Sequence, residues 1–177
     1  MPVSAVFLDR DGLINVPPPP EDRYVLHPDG FHLMPGIAEA IALLNRARIP
    51  VAVVTNQKGV ATGRLSLDTL QRIHARMDDL LAAAGARLDA VAYCPHQESD
   101  HCACRKPLPG MILQLADTLR LHLPDAWMIG DQPRDIHAGK AAGCHTLLVG
   151  HACCPEAEAT LPDTSFLPQW VQKNLLS

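Results

Sequence analysis

At 177 residues the chain has room for one domain with a small insert, and a formal net charge of −4 argues against a nonspecific nucleic-acid binder. No apolar stretch reaches the ~18 residues that cross a bilayer, and no basic segment followed by an apolar one opens the chain, so neither a membrane span nor a signal peptide is expected. A cytoplasmic protein follows, in which six cysteines should be thiols or metal ligands and not disulfides.

The first element is a strand over residues 3–9, whose apolar run Val6-Phe7-Leu8 ends in Asp9-Arg10-Asp11-Gly12. Residues i and i+2 of a strand share a face, so where the strand opens into a Gly turn both acids can reach one small volume. Like charges that close repel, and a divalent cation, a proton or both must offset them. The pairing suits phosphoryl chemistry, with one Asp as nucleophile, the other as acid/base, and Mg²⁺ beside the phosphate. A solvated acidic turn is the alternative for this tetrapeptide alone.

Pro17 to Pro20 read as a stiff extended loop. A helix opens at Pro35-Gly36, with Ile37, Ala40, Ile41, Leu44 and Ala47 on one face. A short strand, Val51 to Thr55, ends in the polar pair Thr55-Asn56. Ser66 is placed to cap a second helix carrying Leu70, Ile73, Met77, Leu80 and Leu81, with Gly85 as its stop. A third strand spans Leu88 to Tyr93, and a Cys/His loop follows. Pro109-Gly110 opens a third helix, Ala126 to Ile129 form a strand ending in Gly130-Asp131, and a short helix runs from Arg134 to Ala142. Thr146 to Val149 form a fifth strand, and a helix is expected around Gln169 to Leu176. Alternating strands and helices predict an α/β fold with a doubly wound parallel sheet, in which a ligand sits beyond the C-terminal strand ends.

The polar residues gather on that edge. Asp131 could complete an oxygen-rich Mg²⁺ site with Asp9 and the backbone carbonyl of Asp11, while Asp135 could steady the loop or hold a metal-bound water. Thr55 and Asn56 can donate to phosphate oxygens. Lys106 offers a compact cation for transition-state charge, and Arg105 a planar fork for a second phosphate or a sugar oxygen. Cys94 and His96, then Cys102 and Cys104 after a five-residue gap, make a Cys₃His set with the signature of structural Zn²⁺. His101 could replace a neighbour, with less even spacing. Cys144, Cys153 and Cys154 read as buried or incidental thiols, and His27, His32, His74, His122, His137, His145 and His151 have no partner that spacing identifies.

Together, Asp9-Arg10-Asp11-Gly12, Thr55-Asn56-Gln57, the Cys94-to-Pro107 segment and Gly130-Asp131 resemble the haloacid dehalogenase superfamily. Within it the chain is similar to the D-glycero-D-manno-heptose 1,7-bisphosphate 7-phosphatases and the neighbouring histidinol-phosphate phosphatases. The resemblance spans residues 3 to 150, and the cysteine loop running into Arg105-Lys106-Pro107 is its most specific part. It implies a Rossmann-like core without a cap domain, a single phosphatase domain with a zinc loop at 94–106, and a monomer acting on a phosphorylated sugar. Asp9 would be the nucleophile that forms an aspartyl-phosphate, and Asp11 would protonate the leaving alkoxide and then activate water. Thr55 and Lys106 would hold the phosphoryl group, Asn56 and Arg105 would meet substrate, and Asp9, Asp11 and Asp131 would hold Mg²⁺. The implied reaction removes the 7-phosphate of a heptose bisphosphate on the way to lipopolysaccharide, with histidinol phosphate as the rival substrate.

Leu13 stands where the family usually has Thr, Gln132 where Lys is common, and the Pro17–Pro20 loop is longer than usual. A signalling receiver domain would need its phospho-acceptor Asp at the end of the third strand, where Cys94 stands. A zinc module without catalysis is at odds with the presence of Asp9, Asp11, Asp131 and Lys106.

Overall fold

Four consecutive apolar residues make strand β1 (Ala5–Leu8), and all four are buried, as a central strand covered on both faces requires. Their side chains divide by parity. Val6 and Leu8 enter one hydrophobic cluster, Ala5 and Phe7 another on the opposite face. The structure, a computed structural model, describes residues 3–21 and 24–177.

The remaining elements follow in the expected alternation: α1 (Ile37–Arg46), β2 (Val51–Asn56), α2 (Leu67–Ala83), β3 (Ala90–Cys94), α3 (Gly110–Leu119), β4 (Ala126–Gly130), α4 (Pro133–Ala142), β5 (His145–Val149), β6 (Ala159–Leu161) and α5 (Leu167–Asn174). Helices α1, α2 and α5 cover the Val6 face through Ile41, Leu44, Ile73, Met77 and Val171. Helices α3 and α4 cover the Phe7 face, where small Ala52, Ala126 and Ala138 let backbones approach. Burying each of the larger side chains contributes roughly 1.5–3 kcal/mol against the unfolded chain.

Capping explains where α2 begins and ends. The Ser66 hydroxyl accepts from the Thr69 N–H at 3.0 Å, and Gly85 takes φ +74° just past the last turn.

The six strands of the sheet pair in parallel, in the order β3-β2-β1-β4-β5-β6. The chain builds outward from β1 to β3, then crosses to β4 and builds the other way. The strand order therefore reverses beside β1, and the crevice beyond its C-terminal end is where such a sheet places a ligand. β6 was not expected from the sequence. Its three residues carry no periodic signal and form a strand through backbone pairing with the edge of β5. The tail helix lies two residues earlier than expected, and β1 is shorter than the 3–9 reading, with Val3, Ser4 and Asp9 outside the strand and the chain bending at Arg10. Among the described residues no helix is long and apolar enough to cross a membrane.

Candidate active site

The end of β1 brings Asp9 and Asp131 together. Leu8 pairs with Ile129 of β4, and the Asp9 N–H donates to the Ile129 carbonyl at 3.0 Å, so the residues after each strand leave side by side. Gly12, at φ +90°, passes so close to Asp131 that a Cβ would collide with its carboxylate, and any other residue would push the two loops apart. A Cβ on Gly130 would likewise meet Asp135.

Lys106 fills the floor of this crevice. Its Nζ lies 2.7 Å from Asp9 Oδ1, 2.8 Å from Asp135 Oδ1 and 2.7 Å from the Val54 carbonyl. Lys106 is only 3 % exposed and Asp135 not at all. Burial alone would lower the lysine pKa, but the Asp135 and Asp9 carboxylates outweigh it and hold the ammonium charged above its ordinary range. Asp135 also accepts from the Gln132 N–H at 3.0 Å, closing a capping box at the start of α4. It thus does more than steady a loop: it fixes Lys106 from the far side of Asp9.

Asp9 is pushed up to about 7, chiefly by burial, then by Asp135 and Asp131, with Lys106 pulling the other way. Asp9, Asp131 and Asp135 place carboxylate oxygens within 4.8 Å of one another. Three carboxylates against one ammonium leave two negative charges when all are ionised. Asp131 Oδ1 is buried without any hydrogen-bond partner, while its Oδ2 accepts from Gln132 Nε2 at 2.9 Å. An unpartnered buried oxygen beside an excess of two charges fits a hard divalent cation.

Asp11 points to a different set of partners. Arg10 Nη2 donates to both its oxygens at 2.9 and 3.0 Å, Asn15 Nδ2 to Oδ1 at 3.1 Å and Gln57 Nε2 to Oδ2 at 2.9 Å. Burial would raise the Asp11 pKa, yet Arg10, Gln57 and Asn15 together hold it below the usual carboxylate value. Arg10 is itself fully buried, and its Nη1 meets His74 Nε2 at 3.2 Å. Sequence reading gave no role to Arg10, Asn15, Gln57 or His74; the one available signal was a cationic residue between two acids.

Thr55 is buried at the end of β2, its Oγ1 accepting from Gln57 Nε2 at 2.9 Å. Asn56 spends both ends of its amide on the Lys106 backbone: Nδ2 donates to the carbonyl at 3.0 Å, and Oδ1 accepts the N–H at 3.0 Å. Its visible work is to place Lys106. Arg105 donates to Glu98 at 2.7 Å and to the His96 carbonyl at 3.3 Å, and with Lys106, Arg134 and His101 it lines a cavity of 480 Å³.

Cys94, His96, Cys102 and Cys104 converge as their spacing predicts, with sulfur–sulfur distances of 3.0 to 3.6 Å and His96 Nδ1 3.3 Å from Cys104 Sγ. His101 stays out of this cluster. The four ligand atoms can hold a metal ion, and the loop they close delivers Arg105 and Lys106.

Comparison with known proteins agrees with this arrangement. The model of the HAD-hydrolase-like family matches residues 103–176. The D-glycero-beta-D-manno-heptose-1,7-bisphosphate 7-phosphatase of Bordetella bronchiseptica is 40% identical over 163 residues, 91% of this chain and 89% of the relative. That of Escherichia coli K12 is 35% identical over 185 residues, 97% of this chain and 95% of the relative. Among solved structures, the D,D-heptose 1,7-bisphosphate phosphatase of B. bronchiseptica, complexed with magnesium and phosphate, superposes with a TM-score of 0.87 at 36% identity, over 96% of this chain and 99% of that one. A HAD-like phosphatase from Mesorhizobium loti gives 0.85 at 36% identity, over 97% and 85%. The chain therefore belongs to the D-glycero-beta-D-manno-heptose-1,7-bisphosphate 7-phosphatase family of HAD-like hydrolases.

Proposed function

We propose that this chain is a single-domain, Mg²⁺-dependent phosphatase that removes the 7-phosphate of D-glycero-D-manno-heptose 1,7-bisphosphate. The names of its relatives favour the β anomer. It would act as a monomer in the cytoplasm, on the route to lipopolysaccharide core heptose. The observation that carries the reading is the Asp9–Lys106 pair at 2.7 Å, beside the unpartnered oxygen of Asp131 at the strand ends.

In this reading an Asp9 oxygen attacks phosphorus, the bond from phosphorus to the sugar oxygen breaks, and an aspartyl-phosphate forms. Asp11, ionised while Arg10 holds it, takes up a proton once it swings to the bound substrate and gives that proton to the leaving alkoxide. It then takes a proton from the water that attacks the same phosphorus, which frees Asp9 and inorganic phosphate. Asp11 must leave Arg10 to reach these protons. The Lys106 ammonium and the Thr55 hydroxyl hold the phosphoryl oxygens, and Asn56 keeps the lysine backbone where that contact is possible. Asp9, Asp131 and the Asp11 carbonyl would hold Mg²⁺, which screens the repulsion between carboxylate and phosphate. Cys94, His96, Cys102 and Cys104 would hold Zn²⁺ that orders the loop before Arg105. Arg105 and Arg134, in the 480 Å³ cavity, supply positive charge for the phosphate that is not cleaved.

Phosphate release with Mg²⁺ on the α and β heptose bisphosphates and on histidinol phosphate tests the reading, with Asp9→Asn as the blank. A large kcat/KM advantage for the β heptose is the expected result. A preference for histidinol phosphate, or release from none, overturns the substrate assignment.

A further inference from the structure

Two side chains that the sequence left without partners, His137 and Cys154, meet Glu156 beside α4. His137 stands on that helix, while Cys154 and Glu156 lie in the connection from β5 to β6. Cys154 is 6 % exposed and packs beneath Ile136 and Leu148. Its Sγ is 3.3 Å from Glu156 Oε2 and 3.9 Å from His137 Nε2, and that nitrogen is 3.9 Å from Glu156 Oε1.

We infer that His137, Cys154 and Glu156 form a second metal site, suited to a borderline cation such as Zn²⁺ and distinct from the Cys94 cluster. A thiol donating to a carboxylate accounts for the 3.3 Å contact alone. It does not account for the imidazole nitrogen, which is too far from the carboxylate for an N–H···O bond of about 2.7–3.2 Å. Ligand atoms about 2.0–2.3 Å from a shared tetrahedral ion would stand about 3.3–3.8 Å from one another. The two 3.9 Å separations lie just beyond that span, and a small inward turn of two exposed side chains closes the difference. The Cys94 cluster is drawn tighter, at 3.0 to 3.6 Å.

The donors are a thiol, an imidazole and a carboxylate, the ligand types that Zn²⁺ takes in three-residue sites whose fourth position is left to water. His137 and Glu156 are 48 % and 55 % exposed, so that position faces solvent. His137 comes two residues after Asp135, the partner of Lys106. An ion here would tie the start of α4 to the connection after β5 and stiffen the side of the crevice that holds Asp135.

Zinc content of the full chain, equilibrated with chelator-buffered Zn²⁺ and read by release to a chromophoric chelator, tests the inference. Wild type should hold two ions per chain, and His137→Ala and Cys154→Ser one each. Because His137 is exposed, its variant keeps the fold and isolates the ligand. Cobalt loading provides a second readout: wild type minus His137→Ala should leave a charge-transfer band from one thiolate. A wild-type ion count that neither His137→Ala nor Cys154→Ser lowers would overturn the site, and Cys102→Ser separates it from the ion of the Cys94 cluster.

Discussion

Replacing Lys106 with Met keeps the volume of the stem and deletes the charge. It leaves Asp9 and Asp135 buried without the cation that lies 2.7 and 2.8 Å from them, and it strands the Val54 carbonyl. Removing one partner of a buried pair costs about 3–5 kcal/mol, a large part of the roughly 5–15 kcal/mol that holds a domain folded. For a chain of this size each kcal/mol is worth roughly 2–4 °C, so the melting temperature without metal should fall by on the order of 10 °C at neutral pH. The sign with pH is fixed. Loss of Lys106 removes the charge that pulls Asp9 down and so raises Asp9 further, the native state then binds more protons than the unfolded chain, and the deficit shrinks on acidification. The double variant Lys106→Met/Asp135→Asn removes one of the two stranded charges and should recover stability while recovering no turnover, because the charge that meets the phosphoryl group is still missing. That lost charge should cost at least about 10²-fold in kcat. Calorimetry across pH and single-turnover phosphate release measure the two effects. A neutral-pH melting temperature equal to wild type, or a double variant less stable than the single, would refute the claim that Lys106 balances these carboxylates.

Asp9→Asn should abolish turnover with the circular dichroism spectrum unchanged, and residual activity within about tenfold of wild type would remove Asp9 from the nucleophile's role. Cys102→Ser should release zinc and lower the melting temperature more than it alters chemistry in the folded fraction; full zinc content at an unchanged melting temperature would contradict that. His74, pushed down to about 4 by burial first and then by Arg10, is neutral in the folded protein at neutral pH. A depressed pKa gives stability that is present above the unfolded value and lost as pH falls from 6.5 toward 4, with a ceiling of about 3 kcal/mol. His74→Gln should flatten that acid limb in a pH series of thermal melts.

The sheet and its edge were legible because period and parity speak directly. Val6 and Leu8 against Ala5 and Phe7 declare two covered faces, and polar residues after four apolar runs declare one functional edge. The Cys94 cluster was legible because metal ligation imposes spacing within one loop. Contacts set by the third dimension left no such trace. Lys106 reaches Asp135 only because the sheet order puts the loop after β3 under the start of α4. Asn56 looked like a phosphate ligand from its place at a strand end, yet its amide is matched to one backbone 50 residues away. His137 and Cys154, set on a helix and a later loop, have a spacing that no motif describes.

The two acids that open the chain are offset separately, which bears on how a cation would bind. Asp11 is neutralised by Arg10 beside it in sequence, and Asp9 by Lys106, 97 residues away. What stays unbalanced is the group of Asp9, Asp131 and Asp135, short of positive charge by two when fully ionised. Because Asp9 is held near 7, the metal-free protein carries a proton there through much of the mildly acidic range. A raised pKa stabilises the native state below that value, and the gain fades as pH rises through about 7. Mg²⁺ must displace the same proton, so the rise in melting temperature on adding Mg²⁺ should be small on the acid side of 7 and grow above it. Asp131→Asn, which removes the unpartnered oxygen's charge, should suppress the rise at every pH. A Mg²⁺-induced shift that is equal on both sides of neutrality, or one that survives Asp131→Asn, would place the ion away from these carboxylates.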